Sequence, residues 1–191
     1  MEKIGIDLDD VIIDFVPNFL KFYNQKYRKN INFEDVKSYN FWEVGIGKNR
    51  DEVIKIVGEF FDSEEFNLIS LVDGAKKAIN KLSLNYQLYT VTSRSTNHKE
   101  KTEKYIQKHF SKISIKIIYS GDFYKEQGKT KSGLCDELDL NYIIEDNLKY
   151  ALECSEKLIG VFLFDKPWNQ GNINGNITRV KSWEEILELV K

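Results

Sequence analysis

Hydrophobic residues near the amino end stand at alternate positions, Ile4, Ile6 and Leu8, and stop at the acidic pair Asp9-Asp10. A period of two that ends abruptly in charge predicts a short buried strand over residues 3–8, opening on a polar edge. From Asp14 the period changes. Val16, Leu20, Tyr23 and Tyr27 recur at spacings of four, three and four, which predicts a helix with Pro17 in its first turn. Residues 31–72 then interrupt the alternation of strand and helix. Asn32 and Asn49 stand where helix caps belong, Val53, Val57 and Phe60 share a face, and no strand-like run intervenes, so a small helical insert is predicted.

After Asp73-Gly74 the alternation resumes. Helices are predicted at 75–82, 99–110, 131–138 and 148–158, and strands at 87–92, 115–119, 141–144 and 159–164. The run GNINGN at 171–176 predicts a turn before a short strand and a last helix capped by Ser182 with Glu185. Strands alternating with helices predict an α/β fold, a Rossmann-like parallel sheet flanked by helices. Its core is residues 1–30 and 73–191, and residues 31–72 form a helical cap.

Composition narrows the function classes. A chain of 191 residues with 41% hydrophobic and 30% charged residues holds one ordinary core and is not disordered. Lys+Arg of 28 against Asp+Glu of 30 leaves a net charge of -2 without charged blocks, so neither a nucleic-acid polymer nor a membrane surface is an expected partner. The start MEKIGIDLDD places acids where a signal peptide needs an apolar run, and the apolar stretches elsewhere are only strand-sized. A soluble, cytoplasmic protein is expected, with Cys135 and Cys154 as reduced structural thiols. Homo-oligomerisation is left open.

In open α/β sheets ligands bind beyond the carboxyl ends of the strands. Those ends carry Asp7-Leu8-Asp9-Asp10, Thr92-Ser93-Arg94 and Glu145-Asp146, and Lys131 opens the helix before the last of them. Carboxylates converging on one edge repel unless a hard divalent cation neutralises them, and Mg²⁺, which keeps positions for water and phosphate, suits one aspartate from each of two strands. The Thr92 hydroxyl, nearby backbone N–H groups and the Lys131 ammonium would then serve a phosphoryl group. Lys125 and Lys129 compete with Lys131 for this role, but Lys131 is in helical spacing with Leu134, Cys135 and Leu138. Phe41 and Trp42, in an insert with more aromatics than a small helical pair needs, are candidates for stacking a nucleobase, with cap packing as the alternative.

A strand ending in DxDxV (Asp7, Asp9, Val11), a strand ending in Thr92, Lys131 before a helix, and a strand ending in Glu145-Asp146 resemble, in order, the four motifs of the haloacid dehalogenase-like hydrolases. The helical insert after the first strand and helix, and the sequence FDKPWNQ at 164–170, resemble the type-C 5′(3′)-deoxyribonucleotidase branch. The resemblance implies a phosphomonoesterase in which Asp7 is the nucleophile and forms an aspartyl-phosphate, and Asp9 is the general acid and then the base. It implies that Asp7, the backbone carbonyl of Asp9, and Asp146 hold Mg²⁺, with Glu145 behind them. It also implies that Thr92, Ser93 and Arg94 face the substrate, which the aromatic cap suggests is a nucleotide. Asp10 stands where that branch has glycine and is a candidate for binding water on the metal. Asp14 reads as a helix-start acid, Asp122 has no assigned role, and Trp168 and Asn169 read as a structural loop flanking the edge. The alternatives are a phosphatase of sugar or cofactor phosphates and, in another class, a catalytically silent nucleotide-binding or phospho-acceptor regulatory protein.

Overall fold

The computed structural model describes residues 1–121, 123 and 129–190; Asp122 and Lys125 lie outside the described residues. Six strands are found among them: β1 (Lys3–Ile6), β2 (Gln87–Thr92), β3 (Ile115–Tyr119), β4 (Tyr142–Glu145), β5 (Gly160–Phe164) and β6 (Ile177–Val180). All neighbouring strands are parallel, in the order β3-β2-β1-β4-β5-β6. The expected strand over 3–8 is shorter as a ladder, because the chain turns out of the sheet after Asp7, whose N–H still donates to the Ile144 carbonyl at 2.9 Å.

The first helix, α1 (Phe15–Tyr27), follows β1 and holds Pro17 in its first turn. The insert comprises 3₁₀ turns at Phe33–Asp35 and Phe41–Val44 and the helices α2 (Arg50–Phe61) and α3 (Glu64–Asn67). Asn49 caps α2 by accepting from the Glu52 N–H at 3.0 Å, as its place before an apolar face implies. The remaining helices are α4 (Ala75–Leu82), α5 (Lys99–Phe110), α6 (Lys131–Glu137), α7 (Leu148–Ser155) and α8 (Trp183–Leu189).

Two hydrophobic clusters, one on each face of the sheet, account for this arrangement. The smaller joins Val91, Ile143 and Leu163 to Cys135 on α6 and to Ala151 and Cys154 on α7. Both thiols are free and buried. The larger joins Ile4, Ile6 and Ile144 to α1, α4, α5, α8 and the insert. The insert therefore has no core of its own. Its Phe41 and Phe60 pack on Phe19 of α1, with ring centroids 5.0 and 5.6 Å apart. Each fully buried aliphatic or aromatic side chain here contributes about 1.5–3 kcal/mol, so α1 fastens the cap to the edge where β1 ends. No described helix is long and apolar enough to cross a membrane.

Candidate active site

Strand register brings the predicted residues together. Ile6 lies opposite Ile144 in β4 and Thr90 in β2, so residues one or two positions further along the three strands, Asp7, Glu145-Asp146 and Thr92, meet at one edge. Lys131, the first residue of α6, reaches the same point. Thr130 caps that helix by accepting from the Gly133 N–H at 3.0 Å, and the Lys131 ammonium donates to Asp7 Oδ1 at 2.6 Å and to Glu145 Oε2 at 2.9 Å. Lys129 instead pairs with Glu137 at the surface.

The electrostatics of this edge are unbalanced. Asp7, Asp10, Glu145 and Asp146 are all buried, and the buried cations among the described residues are Lys131 and Arg94. Burial, reinforced by the charges of Glu145 and Asp9, pushes the Asp7 carboxyl up to about 7 despite Lys131. Burial raises Asp146 well above the carboxylate range, and Glu145, Asp7 and Asp10 push it the same way. For Lys131 burial works in the opposite sense, yet Asp7 and Glu145 outweigh it and hold the ammonium well above its usual range. Oxygens of Asp7, Glu145 and Asp146 lie within 4.8 Å of one another, an all-oxygen acidic set of the kind a hard divalent cation takes. Glu145 has little left to give, since Oε2 accepts from Lys131 and Oε1 from the Asn147 N–H at 3.0 Å.

Asp9 and Arg94 form a second unit. The guanidinium of Arg94 engages both oxygens of Asp9, with Nε to Oδ2 at 2.8 Å, and its Nη1 donates to the Thr102 hydroxyl at 3.2 Å. Arg94 is expected on substrate; its fork is taken instead by the carboxylate expected to be the acid. The Thr92 hydroxyl accepts from the Arg94 N–H at 3.2 Å, and Ser93 shares a hydrogen bond with Ser120 at 2.9 Å.

Asp10 is buried with φ of 58°, a left-handed conformation that glycine adopts freely and aspartate tolerates. That angle explains why a glycine suits the position. As a candidate for binding metal water Asp10 is displaced by its own hydrogen bonds: Oδ1 accepts from the Val16 N–H at 2.9 Å and Oδ2 from the Tyr39 hydroxyl at 2.5 Å. It thereby caps α1, a task expected of Asp14, whose side chain makes no capping hydrogen bond.

Two adjoining cavities open at this edge. The smaller, ≈ 160 Å³, is lined by Asp7, Asp9, Thr92, Arg94 and Lys131; the larger, ≈ 590 Å³, runs outward from Lys131 and Ser93 under the insert. Tyr39, Trp42, Phe123 and Trp168 line the larger one. Phe41 is 1% exposed and packed between Phe19 and Tyr39, and it lines the smaller cavity, whereas Trp42 is half-buried at the wall of the larger.

Three further residues shape the site beyond those the sequence pattern singles out for chemistry: Tyr39, Trp168 and Asn169. The Trp168 indole N–H donates to Asp146 Oδ2 at 2.9 Å, and the Asn169 amide donates to the Asp146 carbonyl at 2.6 Å, so the loop expected to be merely structural orients a candidate metal ligand. A Trp-Asn pair just after a core strand is the signal the chain offers for it. Tyr39 has none, since its contact with Asp10 spans 29 residues.

The family model described as 5′ nucleotidase, deoxy (Pyrimidine), cytosolic type C protein matches residues 1–191. A nucleotidase of Clostridium acetobutylicum is 28% identical over 191 residues, covering 98% of this chain and 93% of the relative. Among solved structures, a haloacid dehalogenase-like hydrolase of Streptococcus pneumoniae superposes with a TM-score of 0.71 at 15% identity, covering 100% of this chain and 99% of that one. A HAD-hydrolase of Bacillus subtilis, described as bound to magnesium, gives 0.64 at 15% identity over 99% and 98%. With the family model matched from end to end, the chain belongs to the 5′ nucleotidase, deoxy (Pyrimidine), cytosolic type C family, a family of phosphomonoester hydrolases, and it shares its fold with haloacid dehalogenase-like hydrolases.

Proposed function

We propose that the protein is a Mg²⁺-dependent nucleotidase that releases phosphate from 5′- or 3′-nucleoside monophosphates, deoxynucleotides above all, through an aspartyl-phosphate on Asp7. The observation that carries this reading is the buried Asp7 carboxylate fixed by Lys131, inside an acidic set that includes Asp146 and lines the smaller cavity, which adjoins one of ≈ 590 Å³ with room for a nucleoside.

An Asp7 carboxylate oxygen attacks phosphorus, the ester P–O bond breaks, and the leaving oxygen takes a proton from Asp9. In the second half Asp9 removes a proton from water as the water oxygen attacks phosphorus. Phosphate departs and Asp7 is regenerated. Lys131 holds Asp7 in place and offers positive charge to the phosphoryl oxygens, with the Thr92 hydroxyl and the Ser93 N–H beside it. The excess of buried carboxylates fits a divalent cation, and Asp7, Asp146 and the Asp9 carbonyl are the groups that would hold it. Bound there, Mg²⁺ would neutralise the carboxylates and draw charge from the phosphoryl group. The insert roofs the site and limits water, which favours small substrates over polymers. Tyr39, Trp42, Phe123 and Trp168 supply an aromatic wall for a nucleobase.

Phosphate release from a panel of nucleoside monophosphates and sugar phosphates, with Mg²⁺ and with EDTA, tests the proposal. Metal-dependent release concentrated on deoxynucleotides is expected. Release chiefly from sugar phosphates would overturn the substrate class, and release unaffected by EDTA would overturn the metal.

Stability provides a second check. Because burial holds the carboxyls of Asp7 and Asp10 at about 7 in the folded protein, against an ordinary value of 3.8, the folded state keeps protons that the unfolded chain has released. Their contribution is fully present below the unfolded value and is lost as pH rises through the folded one. The metal-free protein should therefore melt at lower temperature at about pH 7.5 than at about pH 5, and Mg²⁺ should raise the melting temperature more at the higher pH. Equal effects of Mg²⁺ at both would count against a metal site that includes Asp7.

A further inference from the structure

Arg94 is buried to 3% exposure of its side chain, while Asp9 retains 19%. The cation is therefore the fixed partner and the carboxylate the one being placed. The Thr102 hydroxyl of α5 takes Nη1, and the guanidinium carbon lies 5.9 Å from the Phe15 ring centre, 5.0 Å from Phe61 and 5.4 Å from Phe66. Phe15 begins α1, while Phe61 and Phe66 belong to the insert, so the cage closes only when the insert is seated. The other side of the guanidinium forks onto both oxygens of Asp9. A two-point fork selects one orientation of a carboxylate, where a single contact would leave it free to turn.

We propose that Arg94 is a positioning residue for Asp9, and that through Phe61 and Phe66 it makes the orientation of the general acid depend on the packing of the cap. The inference rests on the reading of Asp9 as the group that protonates the leaving alcohol. Arg94 itself need not touch substrate. Its function is to hold the Asp9 carboxyl toward the ester oxygen, where a displacement of about 1 Å can cost on the order of 10²-fold in rate.

The test compares two esters in the same preparation: a nucleoside monophosphate, whose alkoxide leaving group needs a proton, and p-nitrophenyl phosphate, whose phenolate hardly does. The ratio of the two rates is independent of how much protein is folded, so a purely structural defect does not move it. Arg94→Met is expected to lower kcat/KM, which reports the steps through departure of the alcohol and not the hydrolysis of the aspartyl-phosphate common to both esters, about 100-fold on the nucleotide and less than about 10-fold on the aryl ester. Arg94→Lys, which keeps the charge without the fork, should show the same skew at smaller size, and it serves alone if Arg94→Met does not fold. Phe61→Leu should skew the ratio in the same direction. Asp9→Asn on the same esters separates the two ideas: a skew there with none in the Arg94 variants overturns the positioning role and leaves the acid in place. No skew in Asp9→Asn overturns the acid reading itself, and a rise in KM alone in Arg94→Met would make Arg94 a substrate ligand instead.

Discussion

Asp7→Asn should abolish phosphate release, by at least about 10⁴-fold, while leaving a protein that is folded and at least as resistant to heat in the absence of metal. The two halves of this expectation come from the same contact. Asp7 is the carboxylate that Lys131 fixes at 2.6 Å at the mouth of the smaller cavity, so the amide removes the attacking oxygen and nothing adjacent can replace it. Asp9, held by Arg94, is committed to moving the proton, and Glu145 is spent on Lys131 and the Asn147 N–H. Yet burial makes the Asp7 charge costly, and a neutral near-isostere reduces four buried carboxylates to three. Thermal melting in EDTA should be unchanged or raised, and the increment on adding Mg²⁺ should shrink. Residual turnover within about tenfold of the parent would remove Asp7 as nucleophile.

Lys131→Met should have the opposite effect on stability. Lys131 is 2% exposed and its ammonium is the common partner of Asp7 and Glu145, so its loss leaves two buried carboxylates facing each other without a cation. Breaking a buried pair by removing one member costs about 3–5 kcal/mol, which urea unfolding in EDTA would read directly. Adding Glu145→Gln to the same chain should recover part of that loss, because it removes the most deeply buried of the stranded charges. Activity should fall about 10²- to 10³-fold in both, since the positive charge beside the phosphoryl group is gone in each. A single variant as stable as the parent would mean that Lys131 is not what balances this edge.

Features that repeat along the chain are legible in the amino-acid order. Alternation at Ile4, Ile6 and Leu8 marks β1, and the spacing of Val16, Leu20, Tyr23 and Tyr27 marks α1. The break in alternation at residues 31–72 marks the insert, because periodicity reports the burial of one face and burial is what makes these elements form. The placement of Asp7, Thr92, Lys131 and Asp146 at element ends follows from the same local reasoning, since a parallel sheet puts such ends at one edge. Local spacing even separates Lys131, which begins α6, from Lys129 in the preceding loop.

Partners chosen across the fold leave no such mark. Arg94 meets Asp9 across 85 residues, Tyr39 meets Asp10 across 29, and Trp168 meets Asp146 across 22. No period in the sequence encodes such pairings. They arise because α1 and the insert share one hydrophobic cluster, which swings Tyr39, Phe61 and Phe66 over the ends of β1 and β2. The same packing stacks Phe41 on Phe19 beside the smaller cavity and leaves Trp42 on the wall of the larger one, although the two are neighbours in sequence with similar chemistry. The elements, their order and the residues gathered at the carboxyl edge of the sheet thus follow from amino-acid order alone, because they depend on local periodicity and on the geometry of parallel sheets. Which buried charges pair and which aromatics face the cavity follow only from packing, because each such choice is a competition among side chains that meet once the sheet and insert have come together.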